Sequence, residues 1–239
     1  SNTINWELSD TRSMKFITAY RSQDAYYGLD SDGSPLDYQE QSVDEEESFF
    51  SQEIQLNGTS FNGRLSWVVG GLYFRETGSY DYNARFAIGL FDAFEALPGA
   101  IIPLATFPCP TFCAGGAGNP LNAIFDAQYL VQTDAEITSY AAFVHATYDW
   151  TDQLSLSLGL RYTYDDKEMS SVVGRQIAGV RIVDADVSEN WDDLSPKVSL
   201  EYRWHEHLMT YLSASKGYKS GGFNGRPSHQ LSAEKPFDP

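Results

Sequence analysis

Positions 154–165 alternate without a break: Leu154, Leu156, Leu158, Leu160, Tyr162 and Tyr164 take one parity, and Ser155, Ser157, Gly159, Arg161, Thr163 and Asp165 take the other. A period of two puts successive side chains on opposite faces of a β-strand, so this strand has one apolar and one polar face. Such a strand covers the core of a soluble sandwich or forms the wall of a transmembrane barrel. Length separates the two. At ~3.3 Å per residue and a tilt of roughly 40°, the run from Leu154 to Tyr164 rises about 25 Å, the height of a barrel's apolar band. Globular strands usually run to about 5–6 residues. Residues 140–149 read as its partner across Asp149-Trp150-Thr151-Asp152-Gln153, and the pair is predicted to be a membrane-barrel hairpin.

Three more hairpins of this kind are expected. One joins residues 3–8 to 14–21 through Ser9-Asp10-Thr11-Arg12. Another joins 49–57 to 64–76 through residues 58–63, and the last joins 195–204 to 208–216 through His205-Glu206-His207. Between them lie longer stretches, 22–47, 77–133 and 168–189, read as loops. Soluble domains keep most connections at about 2–6 residues, whereas membrane barrels alternate short periplasmic turns with long extracellular loops. The expected fold is all-β, part of a large antiparallel transmembrane β-barrel. Glu53, Gln55, Arg161, Lys197, Ser199, Glu201 and Arg203 share the inward parity, with Ile54, Leu56, Leu160, Val198, Leu200 and Tyr202 facing the other way. That pattern predicts a wide, wet lumen.

Aromatic placement is an independent signal. Trp6, Trp67, Trp150 and Trp204 each lie within a few residues of a short turn, and Tyr20, Tyr73, Tyr162, Tyr164 and Tyr218 fall at the opposite strand ends. Only Trp191 sits near a long stretch. Rings with polar tips collect at both membrane boundaries, so two girdles are expected. Composition then excludes alternatives. The chain carries 33 acidic against 16 basic residues, a net charge of −17, and so lacks the basic surface a nucleic-acid partner requires. Its 14% aromatic content speaks against disorder. No run of about 18 apolar residues is present for a transmembrane helix. Residues 1–6 open directly in strand-like sequence, and because export needs a signal, the sequence is read as an internal fragment.

Residues 86–97 and 121–130 have helix-like apolar spacing within the longest stretch. There Cys109-Pro110-Thr111-Phe112-Cys113 closes a tiny loop. Two cysteines cannot complete a four-ligand zinc site, and the Pro-rich setting is not a thioredoxin-type motif, so a local Cys109–Cys113 disulfide in an oxidising compartment is expected. His205-Glu206-His207 lacks a third ligand, and Asp30-Ser31-Asp32-Gly33 lacks the closing Glu of a calcium loop. No helix pattern follows Ser220-Gly221-Gly222-Phe223 to make a phosphate site, and Asn57-Gly58-Thr59 falls at an expected periplasmic turn. With no Ser/His/Asp set or carboxylate pair, neither enzyme activity nor a cofactor or metal is expected.

One segment is specific. Ser215-Lys216-Gly217-Tyr218-Lys219-Ser220-Gly221-Gly222-Phe223-Asn224 resembles a signature of TonB-dependent outer-membrane receptors. Ile17-Thr18-Ala19-Tyr20-Arg21, Ser51-Gln52-Glu53-Ile54-Gln55-Leu56, Gly70-Gly71-Leu72-Tyr73-Phe74, Leu158-Gly159-Leu160-Arg161-Tyr162 and Leu194-Ser195-Pro196-Lys197-Val198 are similar to that family's barrel segments, in the same order. The resemblance implies that residues 1–239 are about eight strands of a barrel of roughly 22, with the plug and C-terminal strands absent. It implies a place in the outer membrane of a Gram-negative bacterium, in contact with lipid, and TonB-energised uptake of a scarce small-molecule ligand such as a ferric siderophore. The TonB complex would be met through an N-terminal region missing here. Two other readings stay open: a secreted soluble β-protein that binds glycans, and a passive porin without a plug.

Overall fold

The alternation read from one hairpin runs through a single eight-stranded sheet in which every strand pairs with its sequence neighbour. The computed structural model describes residues 1–35, 38–86, 128–176 and 178–239. The strands are β1 (Asn2–Ser9), β2 (Arg12–Asp30), β3 (Gln39–Ser60), β4 (Leu65–Phe86), β5 (Tyr129–Asp149), β6 (Leu154–Arg175), β7 (Val180–His205) and β8 (Leu208–Ser215). All pairs are antiparallel. A five-residue helix, α1 (Gln230–Glu234), follows the last strand. The soluble-sandwich alternative fails here: among the described residues no second sheet covers the apolar face, which leaves Leu158 53% exposed.

The expected short turns are present, but two expected loops are not. Residues 22–30 and 39–47 continue β2 and β3, and 168–175 and 180–189 continue β6 and β7. These stretches are acidic, which lowers strand propensity. Their continuous ladders supply backbone hydrogen bonds on both sides of β3 and β6 and override it. The 77–133 stretch likewise begins and ends as strand, since β4 runs to Phe86 and β5 starts at Tyr129. The helix-like segments fall, apart from their ends, outside the described residues, as do Cys109 and Cys113.

Cross-strand register shows what holds the wall in one orientation. Ile4, Phe16, Ile54, Gly71, Ala142, Tyr162 and Leu194 form one continuous row across seven strands. The row two residues lower is Trp6, Met14, Leu56, Val69, Val144, Leu160 and Pro196. Both are wholly apolar and belong to the exposed face. A one-residue slip of β1, β2, β3, β6 or β7 would drive polar residues into these rows, so register is strongly specified there. Above them an aromatic line steps from Tyr20 and Phe50 through Tyr73 and Tyr140 to Tyr164, and the Tyr73 and Tyr140 rings lie 5.3 Å apart. Below them Trp67 donates to Ser60 Oγ at 3.2 Å, and Tyr202 and Trp204 meet at 4.6 Å. The Trp67 ring lies on Gly58, where any Cβ would overlap it.

The strands rise well beyond the aromatic line. There the outer rows turn polar: Asp24, Glu46, Ser79, Asp134, Ser170 and Asp186 form one row, and Ser22, Ser48, Thr77, Glu136, Glu168 and Ser188 another. The opposite, inner face holds the only described hydrophobic cluster, Val131, Val173, Val183, Ala185 and Ala233. Four of these come from neighbouring strands and Ala233 from α1. A segment after β8 therefore lies across the inner face.

Candidate functional site

Residues 215–224, singled out in the sequence, begin that crossing. Ser215 ends β8 opposite Lys197. The next contact is a single bond, Lys216 N–H to the Pro196 carbonyl at 3.0 Å. An antiparallel pair would return a second bond from residue 196, but proline has no N–H to give. The strand is released at that point, and the Lys216 ammonium pairs with Asp193 as it leaves.

The released strap is then fastened to the inner wall. Lys167 Nζ donates to the Gly221 carbonyl at 2.7 Å and stands 5.7 Å from the Trp191 ring centroid. Gly221 is buried against Trp191, and a Cβ there would overlap the indole and the Phe237 carbonyl oxygen. Phe223 meets the Trp191 ring edge-on at 5.9 Å. Gly222 and Phe237 bridge their backbones at 3.1 and 2.9 Å, folding the strap back on itself. Thr133 Oγ1 donates to the Gly225 carbonyl at 3.1 Å and shares a 3.1 Å bond with Ser171, while Pro227 is fully buried. Gln230 works as a one-residue strand: its amide accepts from Asp184 N–H at 3.0 Å and donates to Asp184 C=O at 2.9 Å. This caps the edge of β7 that β8 left open.

Burial tunes the charges around the strap. It pushes the Lys167 ammonium down, against the pull of Asp165 and Glu76. It raises the Glu76 carboxyl, and Glu47 adds to the rise. Arg226, between the anchored Gly225 and Pro227, lies with its guanidinium 4.7 Å from the Tyr80 centroid and 5.8 Å from the Tyr82 centroid. It also donates to the Tyr80 hydroxyl, and burial raises that phenol. Among the described residues no group of three His, Cys, Asp or Glu side chains converges as for a metal ion. The arrangement is therefore suited to binding through cations and rings.

The comparisons decide the kind of wall this is. The family model for the β-barrel of TonB-dependent receptor-like proteins matches residues 1–235. This chain belongs to the TonB-dependent receptor family. The ferric yersiniabactin uptake receptor FyuA from Yersinia pestis is similar at 14% identity and a TM-score of 0.71, covering 99% of this chain and 30% of that chain. The ferric-catecholate import receptor Fiu from K12 E. coli matches at 14% identity and a TM-score of 0.56, over 89% of this chain and 31% of its own. The chain thus spans about a third of the receptors it matches, and at that identity the likeness shows the fold alone. The family is one of receptors and transporters, not enzymes.

Within this receptor barrel the sequence-selected residues separate. Ser215, Lys216, Gly217, Tyr218, Lys219, Ser220, Gly221, Gly222, Phe223 and Asn224 form the end of β8 and the start of the strap. Tyr218 is not in the outer girdle as expected, because the chain has already turned inward and its hydroxyl is buried. Asp30 and Asp32 build a polar turn, Asp30 Oδ1 accepting from Asp32 and Gly33 N–H and Asp32 from Ser34 and Gln39 N–H. His205 and His207 stand on the β7–β8 turn with rings 6.3 Å apart. Sequence reasoning missed Lys167, Trp191, Tyr80, Tyr82 and Arg226 as one region. The available signal was Trp191, the tryptophan outside the lower girdle.

Proposed function

We propose that this chain is a section of the wall of an outer-membrane receptor that takes up a scarce ligand, a ferric siderophore, with energy relayed by the TonB complex. The observation that carries it is the division of one sheet into an exposed apolar band bounded by aromatic lines and an inner face crossed by a strap. The apolar band suits lipid. The strap and inner wall suit a ligand vestibule. The two solved structures it resembles are named for ferric yersiniabactin uptake and ferric-catecholate import, which supports an iron chelate as cargo. In this reading residues 1–239 are a partial barrel domain, and the plug, the TonB contact and the remaining strands belong to the rest of a longer protein.

The exposed band speaks against a soluble glycan-binding protein, and membership of the receptor family speaks against a passive porin. The test is a clean deletion of the full-length gene in its host, followed by uptake of radiolabelled iron offered as separate siderophores. Loss of one siderophore's uptake, mirrored by loss of TonB, is the expected result. Unchanged uptake of every siderophore offered would remove the cargo assignment and leave the fold intact.

A further inference from the structure

Arg226 is an exposed cation in a chain of net charge −17. Arg75, Arg85, Arg181 and Arg203 of the same wall each pair with Glu136, Glu40, Asp184 and Glu201. Among the described residues no carboxylate lies within ion-pair distance of Arg226. Its guanidinium rests instead on Tyr80 and Tyr82, rings nearly parallel at 9° with centroids 6.5 Å apart. One N–H is used on the Tyr80 hydroxyl.

The backbone around it is fixed on both sides. Asn224 Oδ1 accepts from Arg226 N–H at 3.1 Å, Thr133 holds the Gly225 carbonyl, and Pro227 is fully buried. An ordinary surface arginine loses rotamer freedom only when something is gained by it. Here aromatic stacking holds the plane and leaves the other N–H donors of the fork exposed on the inner face. A planar fork with free donors is the side chain that recognises oxyanions in two-point fashion. Glu45 is opposite Tyr80 on β3, so one carboxylate shares this part of the inner face.

We infer that Arg226, presented by the Tyr80–Tyr82 ledge, is a ligand-contact residue of the vestibule that takes an anionic oxygen group of the incoming iron chelate. This rests on the siderophore-receptor reading above and specifies the chemistry that reading leaves open: a carboxylate-bearing or catecholate-type chelate rather than an uncharged one. Tyr80 and Tyr82 are positioning residues.

The experiment uses the full-length receptor in detergent, with binding followed by tryptophan fluorescence and calorimetry. Three probes are titrated: the trianionic iron(III) tris-catecholate complex of 2,3-dihydroxybenzamide, an uncharged iron(III) tris-hydroxamate, and iron-free citrate. Arg226→Ala, Arg226→Lys and Arg226→Gln are compared with wild type, and hydrogen exchange of residues 216–239 reports whether the strap stays docked. Loss of a charge-assisted fork contact predicts about a 10- to 100-fold weaker Kd for the anionic probes in Arg226→Ala, partly restored in Arg226→Lys, with the hydroxamate unchanged. Arg226→Gln keeps a planar hydrogen-bonding group without charge and replaces Arg226→Ala should that variant fail to fold.

Equal weakening of all probes together with an undocked strap would assign Arg226 a purely structural role and overturn the proposal. So would anionic binding that does not depend on Arg226, which leaves the siderophore reading standing. Arg226-dependent citrate binding without binding of either iron chelate supports the anion subsite and sinks the siderophore reading instead. Failure of wild type to bind any of the three overturns the subsite.

Discussion

Above the aromatic line, the two faces of the same strands differ in the charge they carry. The outer face presents rows such as Asp24, Glu46, Asp134 and Asp186. The inner face at the same levels carries Ala25, Glu45, Tyr80, Thr133, Ser171 and Ala185, with Lys167, Lys219 and Arg226 added by the wall and the strap. The net charge of −17 describes neither face. Read as a whole-chain quantity it argues against an anionic ligand. Divided by strand parity, much of the acidity points away from the side on which a ligand would enter. A chain-averaged charge governs solubility and long-range steering, whereas recognition depends on which face of a pleat each charge occupies.

The largest expected effect tests the lower half of the comparison. Leu158→Arg in the full-length barrel should cost about 2–4 kcal/mol in folding into bilayers, whereas Ser157→Arg, one residue away on the inner face, should cost little. Equal costs in a urea titration would undo the assignment of faces. Next comes the inner face alone. Gly221→Val should undock the strap at a cost of about 1–3 kcal/mol, because the new side chain meets Trp191 and the Phe237 backbone. Faster amide exchange over residues 216–239, with the hairpin ladders unchanged, is the expected signature.

Smaller effects separate inner from outer polar contacts. Lys167→Met removes the donor to Gly221 and should loosen the strap by about 1 kcal/mol. Arg75→Gln on the outer face breaks an exposed pair with Glu136 and should change stability by less than about 0.5 kcal/mol. If the outer pair proves the more costly, the inner face is not where the structure is held. The smallest effect is pH-dependent. Hydrogen bonds from Ser34, and then from the backbone of Gln39 and Tyr38, hold the Asp32 carboxyl below its ordinary 3.8. A depressed carboxyl stabilises the fold above its ordinary value, and that contribution is lost as pH falls through the lowered one. Amide exchange at the β2–β3 tip should therefore accelerate only in strong acid, and Asp32→Asn should abolish the dependence. Separately, alkylation of the denatured protein without reductant should label neither Cys109 nor Cys113; two labelled cysteines would end the disulfide assignment.

Much of the wall was legible because period-two patterning acts locally and reports a face directly. Leu154 to Tyr164, the tryptophans at the short turns and the parity of Arg161 and Lys197 needed no partner to interpret. The upper halves of β2, β3, β6 and β7 were not legible, since Asp44, Glu45, Glu46 and Glu47 look like loop when read alone. Strand there is imposed by neighbouring ladders, on both sides of β3 and β6 and on one side of β2 and β7, and propensity yields to that hydrogen bonding.

The sequence alone determined long amphipathic strands of the membrane-barrel kind and a resemblance to TonB-dependent receptors, because alternation, length and ordered family segments are properties of the chain itself. Tertiary structure decided where residues 215–224 go. Pro196 and Lys216 are far apart in sequence, and only their pairing across β7 and β8 shows that a missing N–H releases the strand. The same holds for Lys167, Trp191, Tyr80 and Arg226, which come from four separate segments and meet because the strap folds onto the inner face. Periodicity records which way a residue faces; it carries no record of what arrives to face it.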